Sequence, residues 1–211
     1  MFEKLFKEAY LCRLDNIVQW SEMDVFKHES VTQHSFKVTA FASTLFQDIF
    51  GHLDPGCIEY DVAKKYKLEI MEHALFHDFD EALIRRDISH EIKYNSFNGL
   101  AIRRELDNLT MHYAEDFRDS QSGNYFRDTF MNPSDAAKRF VKLCDWLAMA
   151  FFIRREQHLG NQNLKKESRV VYNGIRKAIE DVKDLFNNNE WIKALEPSLE
   201  PLDNIMNLIY E

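Results

Sequence analysis

Apolar residues recur at helical spacing along most of the chain. Phe2, Leu5, Phe6, Ala9 and Leu11 stand three or four apart, which predicts a short amphipathic helix over residues 2–11. A second short apolar piece ends at Trp20, and the mixed polar segment 21–29 reads as a loop. Phe36, Val38, Ala40, Phe41, Leu45, Phe46 and Ile49 predict a long helix beginning near Val31, with Ser30 and Thr32 placed to cap it. Residues 51–56, with Asp54-Pro55 between two glycines, form a turn. From about Asp61 the helical period resumes through Tyr66, Leu68, Ile70 and Met71 and predicts a helix that runs into the pair His77-Asp78.

Polar residues break the pattern over 85–97 and again over 119–133. Between these loops Leu100, Ile102, Leu106, Leu109 and Tyr113 predict a helix over about 98–117. Ser134 fits an N-cap for a helix over about 135–158, the most apolar of all, with Phe140, Val141, Leu143, Leu147, Phe151, Phe152 and Ile153. Gly160 fits its C-terminal cap. A charged amphipathic helix over about 165–187 follows, then Pro197, Pro201 and a short terminal helix. No strand, repeat or low-complexity segment stands out. The expected architecture is all-α, one domain over residues 1–211.

Composition agrees. Gly (6) and Pro (4) are scarce, which favours helices, and 45% apolar residues in 211 suffice for a full core. The net charge of −8 argues against a general nucleic-acid-binding surface, which needs a basic stripe. A small anionic substrate is still allowed, because a bound divalent cation reverses the local sign. Cys12, Cys57 and Cys144 are an odd set without CxxC spacing, so neither a disulfide framework nor a zinc ribbon is expected. No run of about 18 uncharged apolar residues occurs, and MFEKLFKEAY lacks a signal-peptide core. A cytoplasmic protein with no membrane partner is the expectation.

The candidate chemistry centres on His77-Asp78, an imidazole beside a carboxylate inside an otherwise apolar helical run of Ile70, Met71, Ala74, Leu75 and Phe76. Burying a carboxylate there is costly unless it is paired or holds a metal. With about 100° of helix rotation between them, both side chains can face one cation, and Glu81 returns to the face of His77 one turn later, where a proton-transfer group belongs. Elsewhere His34 opens a core-facing helix, and Asp145 is ionisable amid apolar neighbours. A lone His at a helix start is ordinarily a surface or capping residue, and a lone mid-helix Asp ordinarily pairs with Lys or Arg. The joint set of two imidazoles and two carboxylates suits a divalent cation, whether Mn, Co, Fe, Ni, Zn or Mg, with positions left for water or substrate.

The order His34, His77-Asp78, Asp145 resembles the HD superfamily of metal-dependent phosphohydrolases. Trp20, Glu29-Ser30-Val31-Thr32-Gln33-His34-Ser35, Glu81, Asp87 with Lys93-Tyr94, and Lys142-x-x-Asp145 look like its YfbR-like 5′-deoxynucleotidase branch. The resemblance covers about residues 10–155 and leaves about 160–211 as a C-terminal helical extension. It implies an HD-type helical bundle that removes orthophosphate from deoxyribonucleoside monophosphates. It also implies metal ligands His34, His77, Asp78 and Asp145, with Glu81 handling the proton of the attacking water and Asp87 beside the sugar and scissile phosphate. Trp20 matches an aromatic that crowds the sugar 2′ position. Two departures stand out. Gln19 occupies the place of a phosphate-clamping Arg, and the interval from Glu81 to Asp87 is one residue longer than the branch has. Arg13, Arg85, Arg86 or Lys93 is available to replace that clamp, with Arg86 and Lys93 preferred.

Two rivals share the fold: a deoxynucleoside triphosphate hydrolase, and an HD domain that binds nucleotide without hydrolysis. A zincin-type protease is excluded because no Glu follows His73, although His73 and His77 have the right spacing. His73 reads instead as a core residue, and His28, His90, His112 and His158 as surface or loop. Relatives of the branch are often dimers, which allows a homodimer that the sequence does not itself prove.

Overall fold

The computed structural model describes residues 10–21, 23–85, 87, 99–115, 132–188, 195 and 197–210. The order is α1 (Tyr10–Asn16), β1 (Val18–Gln19), β2 (Glu29–Ser30), α2 (Val31–Phe50), α3 (Ile58–Phe76), α4 (Phe79–Ile84), α5 (Gly99–Glu115), α6 (Asp135–His158), α7 (Lys165–Asn188) and α8 (Glu200–Tyr210). The all-α expectation holds. The helix expected over 2–11 and most of the loops expected over 85–97 and 119–133 lie outside the described residues. Among those described, no helix is long and apolar enough to cross a membrane.

Two expectations need correcting. The helix that begins at Ile58 stops at Phe76, and a new one starts at Phe79, so His77 and Asp78 occupy a junction rather than a helix interior. Asp78 stands at the N-cap of α4, a position whose φ/ψ (−107°, 22°) leaves the helical ladder. A two-residue antiparallel ribbon also forms, Val18 opposite Ser30 and Gln19 opposite Glu29, where a short apolar piece ending at Trp20, a loop and a capping Ser30 were expected.

The chain gathers into two compact units. The first holds residues 1–36 and 76–133. Its core packs Leu14, Ile17, Val31, Phe79 and Ala82, with Phe76 and Leu83 against them. The Val31 N–H donates to Ile17 O at 3.0 Å, which fastens the start of α2 to the residue before β1. Ser30 and Gln33 form a reciprocal capping box: Ser30 Oγ accepts from the Gln33 N–H (3.3 Å), and Gln33 Oε1 accepts from the Ser30 N–H (3.1 Å). His34 therefore follows a fixed helix start.

The second unit holds residues 37–75 and 134–211. Phe46 meets Phe50 (4.5 Å between centroids) and Phe140 (6.0 Å), and Phe50 meets Phe186 (5.8 Å), so aromatic rings join α2, α6 and α7. Val171, Ile175, Ala178, Ile179, Val182, Leu185 and Phe186 form the buried stripe of the amphipathic α7. Ser134 caps α6 by accepting from the Ala137 N–H at 3.2 Å. The helix ends in a Schellman pair, with Gly160 at φ 95° and the Asn161 N–H donating to Glu156 O at 3.0 Å.

Candidate metal centre

Three segments of the first unit bring their chemistry-bearing residues together: the end of β1, the first turn of α2, and the α3–α4 junction. His34 is 1% exposed. Its Nε2 lies 4.0 Å from Asp78 Oδ2, and His77 Nε2 lies 3.2 Å from the same oxygen. The two imidazole centroids are 5.5 Å apart. Metal–ligand bonds of about 2.0–2.2 Å put neighbouring donors about 3.0–3.5 Å apart around one cation. The spacing of 3.2 Å falls within that range and the one of 4.0 Å just beyond it. Two imidazoles and a carboxylate converging in this way are a fitting donor set for a divalent first-row metal.

The junction explains why Asp78 is available. An N-cap Asp ordinarily spends its carboxylate on the helix's own N–H groups, but Asp78 makes no such capping bond. It accepts instead from Gln19 Nε2 at 3.2 Å. Gln19, 4% exposed, thus touches an expected ligand. Behind His34, Glu29 Oε1 stands 3.8 Å from Nδ1, both side chains 1% exposed. A carboxylate on the far nitrogen is the arrangement that orients metal-binding imidazoles, although 3.8 Å exceeds a direct hydrogen bond. Sequence reasoning quoted Glu29 without giving it a role. Its one signal in the sequence is a carboxylate five residues before His34.

Glu81 lies in the first turn of α4 and is 1% exposed, its N–H donating to Asp78 O at 3.1 Å. Trp20 holds φ 60°, in the left-handed region, where a bulky side chain costs about 1–3 kcal/mol. Its indole meets the His34 ring edge-on, 5.8 Å between centroids at 86°. Asp87 Oδ2 accepts from the Trp20 N–H at 2.9 Å. Arg85, exposed and also left-handed at φ 61°, closes α4 by donating its N–H to Glu81 O at 2.8 Å. Arg86 and Lys93 lie outside the described residues.

Asp145 belongs to the second unit, midway along α6. It pairs with Lys142 Nζ at 2.7 Å, and that ammonium stands 4.9 Å from the Trp146 ring centroid. Burial, and then the neighbouring Asp145 carboxylate, push the Cys144 thiol well up, so it stays protonated and offers no thiolate. His28, His112 and His158 are exposed, as surface residues would be.

Residues 6–195 match the family model of YfbR-like 5′-deoxynucleotidases. No curated protein matches the chain at a significant level. Among solved structures, an HD-domain phosphohydrolase from Listeria innocua is similar at 15% identity and TM-score 0.55, over 91% of this chain and 88% of that one. A protein from Pyrococcus horikoshii is similar at 20% identity and TM-score 0.58, over 99% and 98%. A conserved hypothetical protein from Pyrococcus furiosus is similar at 20% identity and TM-score 0.52, over 85% and 99%. These likenesses establish the HD-type fold.

Proposed function

Because this chain belongs to the YfbR-like 5′-deoxynucleotidase family and is therefore a metal-dependent phosphohydrolase, we propose that it hydrolyses deoxyribonucleoside 5′-monophosphates to deoxynucleoside and orthophosphate. The observation that carries this reading is the convergence of His34, His77 and Asp78, with the buried Glu81 one turn beyond and its N–H bonded to Asp78 O. These three would hold a divalent cation, and Asp145 would supply a fourth ligand on the family pattern. Such a cation, when bound, lowers the pKa of a water and polarises a phosphate oxygen.

The chain's own groups do the rest. Gln19 and Glu29 orient Asp78 and His34 from outside the ligand set. Glu81 takes the proton of the attacking water on its carboxylate and returns it to the departing 5′ oxygen, with its backbone anchored by α4. Trp20 crowds the sugar 2′ position and disfavours ribonucleotides. Arg86 or Lys93 neutralises the phosphate in place of the clamp that Gln19 cannot provide. The family match runs through residues of both units, which supports treating residues 1–211 as one HD domain. A nucleotide substrate supports a cytoplasmic site of action.

One observation favours a second reading. The Gln19 amide donates to Asp78 rather than serving as a phosphate clamp, which favours a rebuilt phosphate pocket and, with it, a triphosphate hydrolase as the alternative. Metal-stripped protein resupplied with Mn²⁺, Co²⁺ or Mg²⁺ and given dAMP, AMP or dATP decides. Orthophosphate from dAMP in excess of AMP is expected. Triphosphate from dATP, with dAMP untouched, would transfer the assignment to the alternative.

A further inference from the structure

Trp20 is held in a backbone conformation that ordinarily belongs to glycine. Two hydrogen bonds fix it there. Its N–H donates to Asp87 Oδ2 at 2.9 Å, and its carbonyl accepts from the Met23 N–H at 2.9 Å. The second closes a local turn. The first spans 67 positions along the chain and ends on a carboxylate, so it is the charge-assisted and tertiary one of the two. With the backbone so fixed, the indole stands edge-on to His34, an expected metal ligand. A side chain so close to the reacting centre controls access only if its direction is fixed, and an aromatic in the left-handed region keeps its direction only while something holds it.

We propose that Asp87 is a positioning residue: its carboxylate clamps the Trp20 backbone in the left-handed conformation that sets the indole against His34, and thereby sets the choice between deoxyribose and ribose. The sugar choice rests on the deoxynucleotidase reading; the clamp does not. The extra residue between Glu81 and Asp87 fits this role, since a strut to a backbone N–H needs reach rather than a fixed position at the phosphate.

The experiment compares Asp87→Ala, Asp87→Asn and Trp20→Phe. In metal-free protein, Asp87→Ala is expected to change the tryptophan emission, and the same substitution in the Trp20→Phe background to leave it unchanged. With metal, Asp87→Ala should reduce the dAMP-to-AMP ratio of kcat/KM by about tenfold or more, from the roughly hundredfold that a pocket excluding one hydroxyl achieves. Asp87→Asn keeps an oxygen that accepts from the Trp20 N–H, so emission and ratio should stay near wild type. Unchanged emission in Asp87→Ala overturns the clamp. So does a loss of about a hundredfold or more in kcat with both Ala and Asn at a constant ratio, because that marks proton chemistry. If Asp87→Ala fails to fold, Asp87→Asn decides alone: near-wild-type kcat and ratio support the clamp, and a hundredfold loss of kcat overturns it. If wild type releases no phosphate from dAMP, the deoxynucleotidase reading fails, while the emission comparison still decides the clamp.

Discussion

Glu81 presents two opposed pressures on one side chain. Burial to 1% exposure disfavours its charge, while a place in the first turn of α4 puts it near helix N–H groups that favour it. A buried carboxylate in the first turn of a helix suits a group that must both accept and return a proton. Glu81→Gln keeps the size and removes that capacity. We expect kcat on dAMP to fall by about 10²-fold or more, with Mn²⁺ affinity by titration calorimetry changed by no more than about threefold. Activity near wild type would remove Glu81 from the proposed chemistry, and lost metal binding would make it a ligand. Residues of this kind were legible because an ionisable group in an apolar run demands a reason. Gln19 was not. The sequence shows that an expected Arg is missing, but not that the amide in its place reaches an oxygen 59 positions away.

At the scale of elements, the helices were readable because the 3.6-residue period is strong, and α6 and α7 fall within a residue or so of where the pattern puts them. The break at His77-Asp78 was not, since Phe76 and Phe79 keep the stretch apolar and neither Gly nor Pro marks it. A signal was present: Asp78 with Glu81 three residues on has the spacing of a capping box. The β1–β2 ribbon is two residues per strand, too short for alternation to register. Contacts between elements were equally invisible. Gly174 on α7 faces the Trp146 indole on α6, and a Cβ there would stand 2.6 Å from Trp146 Cδ2. Gly→Ala in a helix ordinarily gains about 1 kcal/mol. Overpacking a buried contact costs about 1–3 kcal/mol, and Trp146 is 7% exposed with little room to move. The clash should win, so Gly174→Ala is expected to be destabilised by up to about 2 kcal/mol in urea unfolding; a stabilised variant would show that α6 and α7 part easily.

For the whole molecule, a net charge of −8 repels a phosphate monoester, so a cation must reverse the sign locally before substrate can settle. The same cation, bound only by folded protein, adds stability. At a free concentration of 100 times Kd the gain is about 2.7 kcal/mol, or roughly 5–10 °C in Tm for a chain of this size. Chelation should abolish turnover and lower Tm by that amount, and resupplied Mn²⁺ should restore both. Asp145 then becomes a clean test of the fourth ligand. Its pair with Lys142, 39% exposed, is open to solvent to a degree at which an ion pair contributes about 0–1 kcal/mol. Asp145→Asn should therefore cost metal-free protein no more than about 4 °C, yet shrink the Mn²⁺-induced rise in Tm to below about 2 °C. If Asp145 serves only Lys142, the variant lowers Tm equally with and without Mn²⁺, and the full metal-induced rise survives. The two roles differ because a surface-facing ion pair is worth less than half of what the cation adds, and scanning calorimetry resolves that difference without relying on turnover.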